Sequence, residues 1–203
     1  MTTTDRVAVR RPLRSDAVAT RRKVIDAGIT LARARSIETI TMRDIAKAAK
    51  VSTATAYTYF ASKEHLYAEA YVEGLHTLTE RLRARPPRGA SATDRVASVF
   101  RRALAGAAET GDLVPAMAIA LASSDPAVSS LRPLFDGAFQ EWMNIVLGDA
   151  HIADREATTK ILQLTMFGAF VAVAHERLSL TEAARLLDTT VRRLVVEQAD
   201  VPT

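Results

Sequence analysis

Hydroxyl side chains crowd one short stretch of the chain, VSTATAYTYFASKEHLY, at residues 51–67. Three threonines and three tyrosines lie between Thr53 and Tyr67, and Ser52 precedes them. Such residues suit a half-buried strand, a catalytic loop, or a helix that offers hydrogen bonds to an external ligand. These three possibilities differ in the residues and elements that must accompany the hydroxyls.

The sequence supplies no catalytic partners for these hydroxyls. None of the four histidines has metal-ligand spacing, and His151 with Asp149 is too weak a pattern to define a metal site. There is no glycine-rich phosphate loop, no Gly-x-Ser-x-Gly motif and no cysteine. We therefore expect no enzyme, no metal and no cofactor. The histidines are His65, His76, His151 and His175.

The composition is typical of a soluble globular protein, since 48% of the 203 residues are hydrophobic and 25% are charged. No run of about 18 apolar residues could span a bilayer, and the N-terminus has no apolar signal region. The lack of cysteine favours an intracellular compartment. We expect a cytoplasmic protein with no membrane partner.

Basic charge is concentrated in the first third of the chain. Residues 1–65 contain 13 Lys and Arg against 6 Asp and Glu, whereas residues 66–203 contain 14 against 17. This asymmetry favours a polyanion as the partner of the N-terminal region, with a solvated basic tail as the alternative.

The spacing of apolar residues predicts an all-α protein of about nine helices. A strand at 53–60 is the alternative that Thr and Tyr favour, but no hairpin signal or partner strand lies nearby. Pro133 falls inside the seventh helical pattern, so that helix either kinks or begins there. The predicted helices are 16–35, 42–49, 53–60, 63–85, 93–110, 115–123, 126–147, 154–178 and 181–198.

Capping residues mark the starts of the second, third and fourth helices. Thr41 with Asp44 three residues later forms a box-like arrangement, and Ser52 and Ser62 are good N-caps. Three helices with a tight turn before the third form a helix-turn-helix, whose third helix lies in the major groove of DNA. Outward threonine and tyrosine hydroxyls would then meet base edges and phosphate oxygens.

The segment VIDAGITLARARSIETITMRDIAKAAKVSTATAYTYFASKEHLY resembles the DNA-binding domain of the tetracycline-repressor (TetR) family. The resemblance implies a bacterial homodimer with a helical ligand domain, in which a small molecule usually releases repression. The matching pieces are Val24-Ile25-Asp26-Ala27, Thr41-x-Arg43-Asp44-Ile45-Ala46, Val51-Ser52, Thr55-x-Tyr57-x-Tyr59-Phe60 and Ser62-Lys63-Glu64.

The same resemblance places the DNA contacts on individual residues. Ala54 would add a methyl or backbone contact, and Ser52 and Thr58 belong to the same surface. Carried over position by position, the other contacts fall on Thr41, Arg43, Thr53, Thr55, Tyr57, Tyr59 and Lys63.

Lys50 departs from the family pattern, because a glycine is common at this turn position. If the turn needs a positive φ there, the lysine bears about 1 kcal/mol or more of strain. Ser36 likewise replaces a glycine, after the first helix. Ala32 and Ala56 replace larger apolar residues, which predicts a lightly packed N-terminal core.

Three regions are predicted along the chain: a flexible basic arm at 1–15, a helix-turn-helix domain at 16–62, and a ligand-binding and dimerisation domain at 63–203. The arm either enters the minor groove of DNA or serves as a disordered tail. Its basic residues are Arg6, Arg10, Arg11 and Arg14.

The last two helices, 154–178 and 181–198, are predicted to pair with those of a second subunit. The first is apolar around nearly its whole circumference, and Gly168, Ala169 and Ala172 permit close helix approach. Burial within one monomer is the alternative.

A ligand cavity is predicted between the other C-terminal helices, although Met and aromatic residues at this spacing also suit plain core. Charged candidates are few, namely Arg101, Arg102 and His76, so we expect a largely apolar ligand such as a fatty acid, an acyl-coenzyme A or a sterol-like molecule. The predicted lining residues are Leu75, Leu78, Phe100, Leu104, Met117, Leu121, Phe135, Phe139, Trp142, Met166 and Phe170.

The function expected from these patterns is that of a repressor, bound to the bacterial nucleoid through a palindromic operator and released by its ligand. The helix at 63–85 would be the lever between the two domains. The alternative is an architectural or activating DNA-binding protein without a small-molecule inducer.

Overall fold

A computed structural model describes residues 12–109 and 113–197, which are helical and contain no β-strand, as the apolar spacing predicts. Ten α-helices and one 3-10 turn, Ile37–Thr39, follow one another along this part of the chain. The α-helices are α1 Pro12–Ala34, α2 Met42–Ala48, α3 Thr53–Tyr59, α4 Lys63–Ala84, α5 Ala92–Glu109, α6 Leu113–Leu121, α7 Pro126–Ser129, α8 Arg132–Leu147, α9 Arg155–Ala174 and α10 Leu180–Leu194.

The start of α1 lies four residues before the predicted one. The helix begins at Pro12, so Ser15 and Asp16 lie within it and do not cap it. Proline suits a first helical position because it has no N–H to leave unpaired. The predicted arm thus loses residues 12–15 to α1, and Arg6, Arg10 and Arg11 lie outside the described residues.

The end of α9 lies four residues before the predicted one. Glu176 has a φ of 54°, and the N–H groups of Arg177 and Glu176 donate to the carbonyls of Ala172 (2.8 Å) and Val173 (3.0 Å). This pair of hydrogen bonds is the Schellman motif, which closes a helix. The sequence did not signal it, because the position with positive φ is a glutamate and not a glycine.

The seventh predicted helix is two helices. Asp125 caps the single turn α7 by accepting a hydrogen bond from the Ala127 N–H (2.9 Å). Pro133 stands in the first turn of α8, where a missing N–H costs nothing. Of the two sequence alternatives, the helix therefore begins at the proline and does not kink there.

Helices α1, α2 and α3 form a compact N-terminal bundle, residues 12–59, which we call the reading unit. Ala56 and Phe60 are fully buried, and the same core continues into α4 through Leu66 and Tyr67. Gly28 allows this continuity, because a Cβ there would lie 2.8 Å from Leu66 Cδ2.

The remaining helices form the sensor domain, residues 63–197. Helix α4 packs on α6 and α8, α5 packs on α10, and α9 packs on α6 and α10. A second core, which includes the fully buried Phe100, Phe139 and Trp142, lies among these helices. Helix α1 also contacts α4 and α6, so the reading unit rests directly on the sensor domain.

Candidate DNA-reading surface and ligand cavity

The start of α2 is held by the predicted capping box. The Thr41 hydroxyl accepts a hydrogen bond from the Asp44 N–H (3.2 Å), and the Asp44 carboxylate accepts one from the Thr41 N–H (3.0 Å). The hydrogen bonds from the backbone and side chain of Thr41, and then the nearby Arg35 guanidinium, lower the pKa of Asp44. The carboxylate therefore stays ionised and keeps its hydrogen bonds to Thr41 at the start of α2.

The turn between α2 and α3 closes through Lys50, whose φ is 56°. The N–H groups of Lys50 and Val51 donate to the carbonyls of Lys47 (3.2 Å) and Ala46 (3.0 Å), which is again the Schellman pattern. The turn does have a positive φ at Lys50, so the strain predicted for that case is present. A left-handed conformation brings the Cβ of an L-residue too close to the backbone.

Several hydroxyls of α3 serve the helix itself. Ser52 caps α3 by accepting from the Thr55 N–H (2.9 Å), and the two side-chain hydroxyls of Ser52 and Thr55 lie 2.8 Å apart. The Thr58 hydroxyl donates to the Ala54 carbonyl (3.1 Å). The Thr58 proton and one of the two protons of the Ser52–Thr55 pair are therefore used within the helix, while the oxygens keep acceptor capacity.

Four predicted contact residues make no side-chain hydrogen bond or ion pair with any described residue: Arg43, Thr53, Tyr57 and Tyr59. The Tyr57 side chain is the most open large apolar group of α3, at 53% exposure, and Arg43 is also exposed. Ala54 presents its methyl group next to them. Helices α2 and α3 therefore offer a guanidinium, three hydroxyls with no described partner and an exposed methyl group, while the Tyr59 ring packs partly against the N-terminal core.

Lys63 occupies a different place from the other predicted contacts. Its ammonium donates to the carbonyls of Ile37 (2.9 Å), Ile40 (3.0 Å) and Glu38 (3.3 Å). An ammonium has three N–H donors, and all three are engaged here. Lys63 therefore fastens the α1–α2 connection to the start of α4, and a phosphate contact would require it to release a carbonyl.

Two sets of polar contacts join the reading unit to the sensor domain. Arg21 of α1 forms ion pairs with Glu69 and Glu73 of α4. Ser62, the N-cap of α4 just after the reading unit, donates its hydroxyl to the Asp125 carboxylate (2.5 Å), and this hydrogen bond is the largest cause of the lowered pKa of Asp125. The reading unit is thus attached both along α4 and at the cap of α7.

A cavity of about 560 Å³ lies between α4, α5, α6, α8 and α9, against α1. Its interior wall includes buried Trp142, Met166 and Phe170, while Arg22, Arg33, Arg81 and Arg102 line it with exposed side chains. We call these four arginines the basic opening. The cavity therefore runs from a cationic, solvent-facing side to an apolar interior, within the size range of small-molecule sites.

A second cavity of about 530 Å³ adjoins the first. The two share Leu78, Arg81, Arg102 and Ala103, and the second adds Arg85. Arg33, Arg81, Arg85 and Arg102 form no ion pair with a described residue. Unpaired guanidinium groups on one opening attract an anion, because each offers several donors and a permanent charge.

The eleven predicted lining residues fall into three groups: those on the main cavity, those on a smaller pocket and those in the core. Leu121 and Phe135 instead line a smaller pocket of about 270 Å³. Phe100, Leu104 and Phe139 are buried in the core and lie on none of these cavities, because they pack among α5, α8 and α9. Six predicted residues line the main cavity: Leu75, Leu78, Met117, Trp142, Met166 and Phe170.

The charged candidates divide in the same way. Arg102 lines the main cavity, whereas Arg101 lies 3.6 Å from Asp188 and lines none of these cavities, nor does the exposed His76. Sequence reasoning missed the α1 arginines and Tyr71, whose phenol also lines the cavity. Burial raises the pKa of Tyr71, so the phenol stays neutral.

The last two helices carry exposed apolar side chains. Ile161, Leu164 and Gly168 follow one another at helical spacing on α9, and the first two are 44% and 60% exposed. Leu186 of α10 is 42% exposed. Ala169 is buried within the chain, so it does not belong to this open face.

Three lines of comparison assign the class of the protein. The pattern of "Bacterial regulatory proteins, tetR family" matches residues 24–70, and that of "Tetracyclin repressor-like, C-terminal domain" matches residues 89–194. The chain therefore belongs to the TetR family of helix-turn-helix transcriptional regulators, which are DNA-binding proteins and not enzymes.

Individual relatives agree with this assignment. An uncharacterised HTH-type transcriptional regulator of Mycobacterium tuberculosis is 33% identical over 155 residues, which span 75% of this chain and 70% of that protein. The HTH-type transcriptional repressor KstR of Rhodococcus jostii is 28% identical over 179 residues, covering 86% and 82%.

Solved structures share the whole fold. A TetR transcriptional regulator from Rhodococcus sp. RHA1 superimposes with a TM-score of 0.74 at 25% identity, over 90% of this chain and 99% of that one. The Thermus thermophilus repressor FadR, solved with lauroyl-CoA, gives a TM-score of 0.66 at 24% identity over the same shares. In the described part of this chain, no helix is long and apolar enough to cross a membrane.

Proposed function

We propose that the protein is a ligand-responsive repressor that binds a palindromic operator as a homodimer and is released by an apolar molecule with an anionic head. The single observation that carries the ligand part is the main cavity, which is apolar inside and is lined at its open side by four arginines, of which Arg33, Arg81 and Arg102 form no ion pair with a described residue. The regulator class itself follows from the family.

The operator contacts proposed are those of the outer face of α2 and α3. Thr53, Tyr57 and Tyr59 have hydroxyls that no described residue engages, and Arg43 has an unpaired guanidinium. A wall of phosphate and base acceptors would satisfy these donors. Thr41 and Thr58 would contribute mainly acceptor lone pairs and methyl groups, because their protons are already donated, whereas one hydroxyl of the Ser52–Thr55 pair keeps a proton to donate.

A homodimer is proposed through the exposed apolar face of α9 and α10. Covering Ile161, Leu164 and Leu186 with the same face of a second copy would remove these side chains from water in an isologous four-helix contact. The small residue Gly168 lies on this face and leaves room for a helix to approach. Equilibrium sedimentation should give a dimer at micromolar concentration, and a stable monomer would contradict the proposal.

The ligand proposed is a fatty acid or an acyl-coenzyme A in preference to a neutral sterol. A neutral molecule would leave the guanidinium groups of Arg33, Arg81 and Arg102 without a partner, whereas a carboxylate or phosphate would pair with them. The FadR structure holds lauroyl-CoA, an acyl-coenzyme A, which supports this choice. KstR is named a repressor, which supports the proposed repressor role.

Release of DNA would pass through the contact between the cavity and α1. Arg22 and Ile29 of α1 line the cavity, and Arg22 also lies 3.3 Å from Glu73 of α4. A ligand anion near Arg22 would compete with Glu73 and change how the reading unit sits on α4. Two reading helices must be held about 34–36 Å apart, or a multiple of this, so such a shift weakens operator binding.

The experiment has two stages. Genome-wide recovery of bound DNA should give one palindromic sequence. Dodecanoic acid and dodecanoyl-CoA should then lower the affinity for it, whereas dodecanol and free coenzyme A should have little effect. A recovered sequence whose affinity no apolar molecule changes would instead indicate an architectural protein or an activator without an inducer.

A further inference from the structure

The indole N–H of Trp142 is a buried hydrogen-bond donor with no partner among the residues that the structure describes. The side chain is only 1% exposed, and it belongs to the wall of the main cavity. An indole nitrogen can donate but cannot accept, so only an acceptor atom satisfies it. Most buried polar groups in folded proteins have a partner, and an exception calls for an explanation.

The ring of Trp142 is held in place by its neighbours. Phe100 stacks on it, with ring centres 5.6 Å apart and planes at 25°, and Phe139 meets it edge-on at 4.8 Å and 88°. Neither ring supplies an oxygen or nitrogen acceptor, so the N–H stays without a conventional hydrogen-bond partner among the described residues. The two rings hold the indole in one orientation, in a residue that lines the cavity.

A second neutral donor lines the same cavity. The Tyr71 phenol makes no hydrogen bond with a described residue, and its ring stacks on Phe135 with centres 5.7 Å apart. Around these donors the wall is hydrocarbon or sulfur, with Leu75, Met117 and Met166. The interior is thus apolar except for two hydrogen-bond donors, the indole N–H and the phenol O–H. A few donors in an apolar cavity fix the orientation of a ligand and favour ligands with acceptor atoms at the same positions.

We infer that Trp142 is a specificity-determining residue, and that the preferred ligand carries a carbonyl, ether or hydroxyl oxygen on its apolar part, in addition to its anionic head. A plain saturated chain would leave the indole N–H buried and unsatisfied, whereas an oxygen at the right carbon would accept its hydrogen bond. The inference rests on the proposed ligand site and refines its ligand class to oxygenated apolar acids.

The test compares dodecanoic acid with a series of oxododecanoic acids, each with one ketone at a different carbon. Isothermal titration calorimetry is suitable, since Trp142→Phe removes the only tryptophan of the chain. At least one ketone position should bind the wild type about fivefold to tenfold more tightly than dodecanoic acid. Trp142→Phe should remove that preference, so that the oxo acid and dodecanoic acid bind the variant with equal affinity.

Phe100→Leu is the matched control, because it disturbs the stacking on Trp142 but keeps the N–H. It should change the affinities for both acids by the same factor and keep the ketone preference. A preference that survives Trp142→Phe, or a series in which no ketone exceeds dodecanoic acid, overturns the inference but not the proposed function. Failure of every acid to bind overturns both.

The single tryptophan also allows a direct spectroscopic reading in the intact protein. A ¹⁵N-labelled sample should give one indole N–H cross-peak. Addition of the preferred oxo acid should move this proton downfield, as hydrogen bonding does, while dodecanoic acid should leave it near its free position. Equal shifts with both acids would contradict a hydrogen bond to the ligand oxygen.

Discussion

The polar caps of the reading unit and the polar groups around the cavity of the sensor domain differ in whether they have hydrogen-bond or ion-pair partners. In the reading unit, exposed groups such as Thr41 and Ser52 are hydrogen-bonded to the protein's own backbone. In the sensor domain, Trp142 is buried with its donor unpaired, and Arg102 forms no ion pair with a described residue. Paired polar groups thus hold the DNA-binding scaffold together, whereas unpaired ones, which include Arg43 and Tyr57 of the reading unit, are those proposed to contact DNA or a ligand.

The largest effect is expected from the removal of a side chain whose donors are all hydrogen-bonded, that of Lys63. Lys63→Met removes an ammonium that donates to three carbonyls, and we expect a loss of about 1–3 kcal/mol in the free energy of unfolding. Denaturant unfolding measures it, and Lys47→Met is the control, because Lys47 is exposed and its side chain has no described partner. If Lys63→Met kept full stability but reduced the salt dependence of DNA binding, Lys63 would belong with the phosphate contacts instead.

The next effect removes an unpaired group from the sensor domain. Arg102→Ala should weaken binding of dodecanoic acid about tenfold and leave stability nearly unchanged, because the guanidinium supports no described contact. Arg101→Ala is a matched control one residue away, since Arg101 lines none of these cavities. Calorimetry measures the affinity of both variants for dodecanoic acid. Equal losses of affinity would mean that the basic opening does not bind the ligand.

A smaller effect is expected for an unpaired group of the reading unit. Arg43→Ala should weaken operator binding severalfold and reduce the slope of log affinity against log salt by about 1, if its guanidinium contacts a phosphate. Tyr59→Phe should weaken binding of all sequences but leave the slope unchanged, because no charge is lost. Fluorescence anisotropy over a salt series measures both affinities. An unchanged slope for Arg43→Ala would mean that Arg43 does not contact a phosphate.

The smallest effect is a gain in stability. Lys50→Gly should raise the free energy of unfolding by roughly 0.5–1 kcal/mol, because glycine relieves the strain at φ 56° but has more freedom in the unfolded chain. Lys47→Gly, in the last turn of α2, should lower it by about 1 kcal/mol. A loss of stability in Lys50→Gly would mean that the lysine side chain contributes more than its backbone geometry costs.

The sequence predicted those features that depend on a few neighbouring residues. The capping box of Thr41 and Asp44, the caps at Ser52 and Ser62, and the start of α8 near Pro133 are all local. Periodicity could not separate cavity residues from core, because Phe100 and Phe170 have the same type and both are buried.

Features that depend on packing between distant segments were not predicted. Arg22 and Arg33 come from the N-terminal helix but line a cavity of the sensor domain. Only the packing of α1 on α4 and α6 brings them there. The positive φ of Glu176 was also missed, because a residue other than glycine gives no signal of such a turn.

The central claim is that one ligand in the main cavity and one operator on the reading surface bind antagonistically. Calorimetric titration of dodecanoyl-CoA into the free protein and into its operator complex tests this most directly. The operator should weaken ligand binding by the same factor by which the ligand weakens operator binding, because coupling between two sites is reciprocal. An equal ligand affinity with and without the operator would contradict the account.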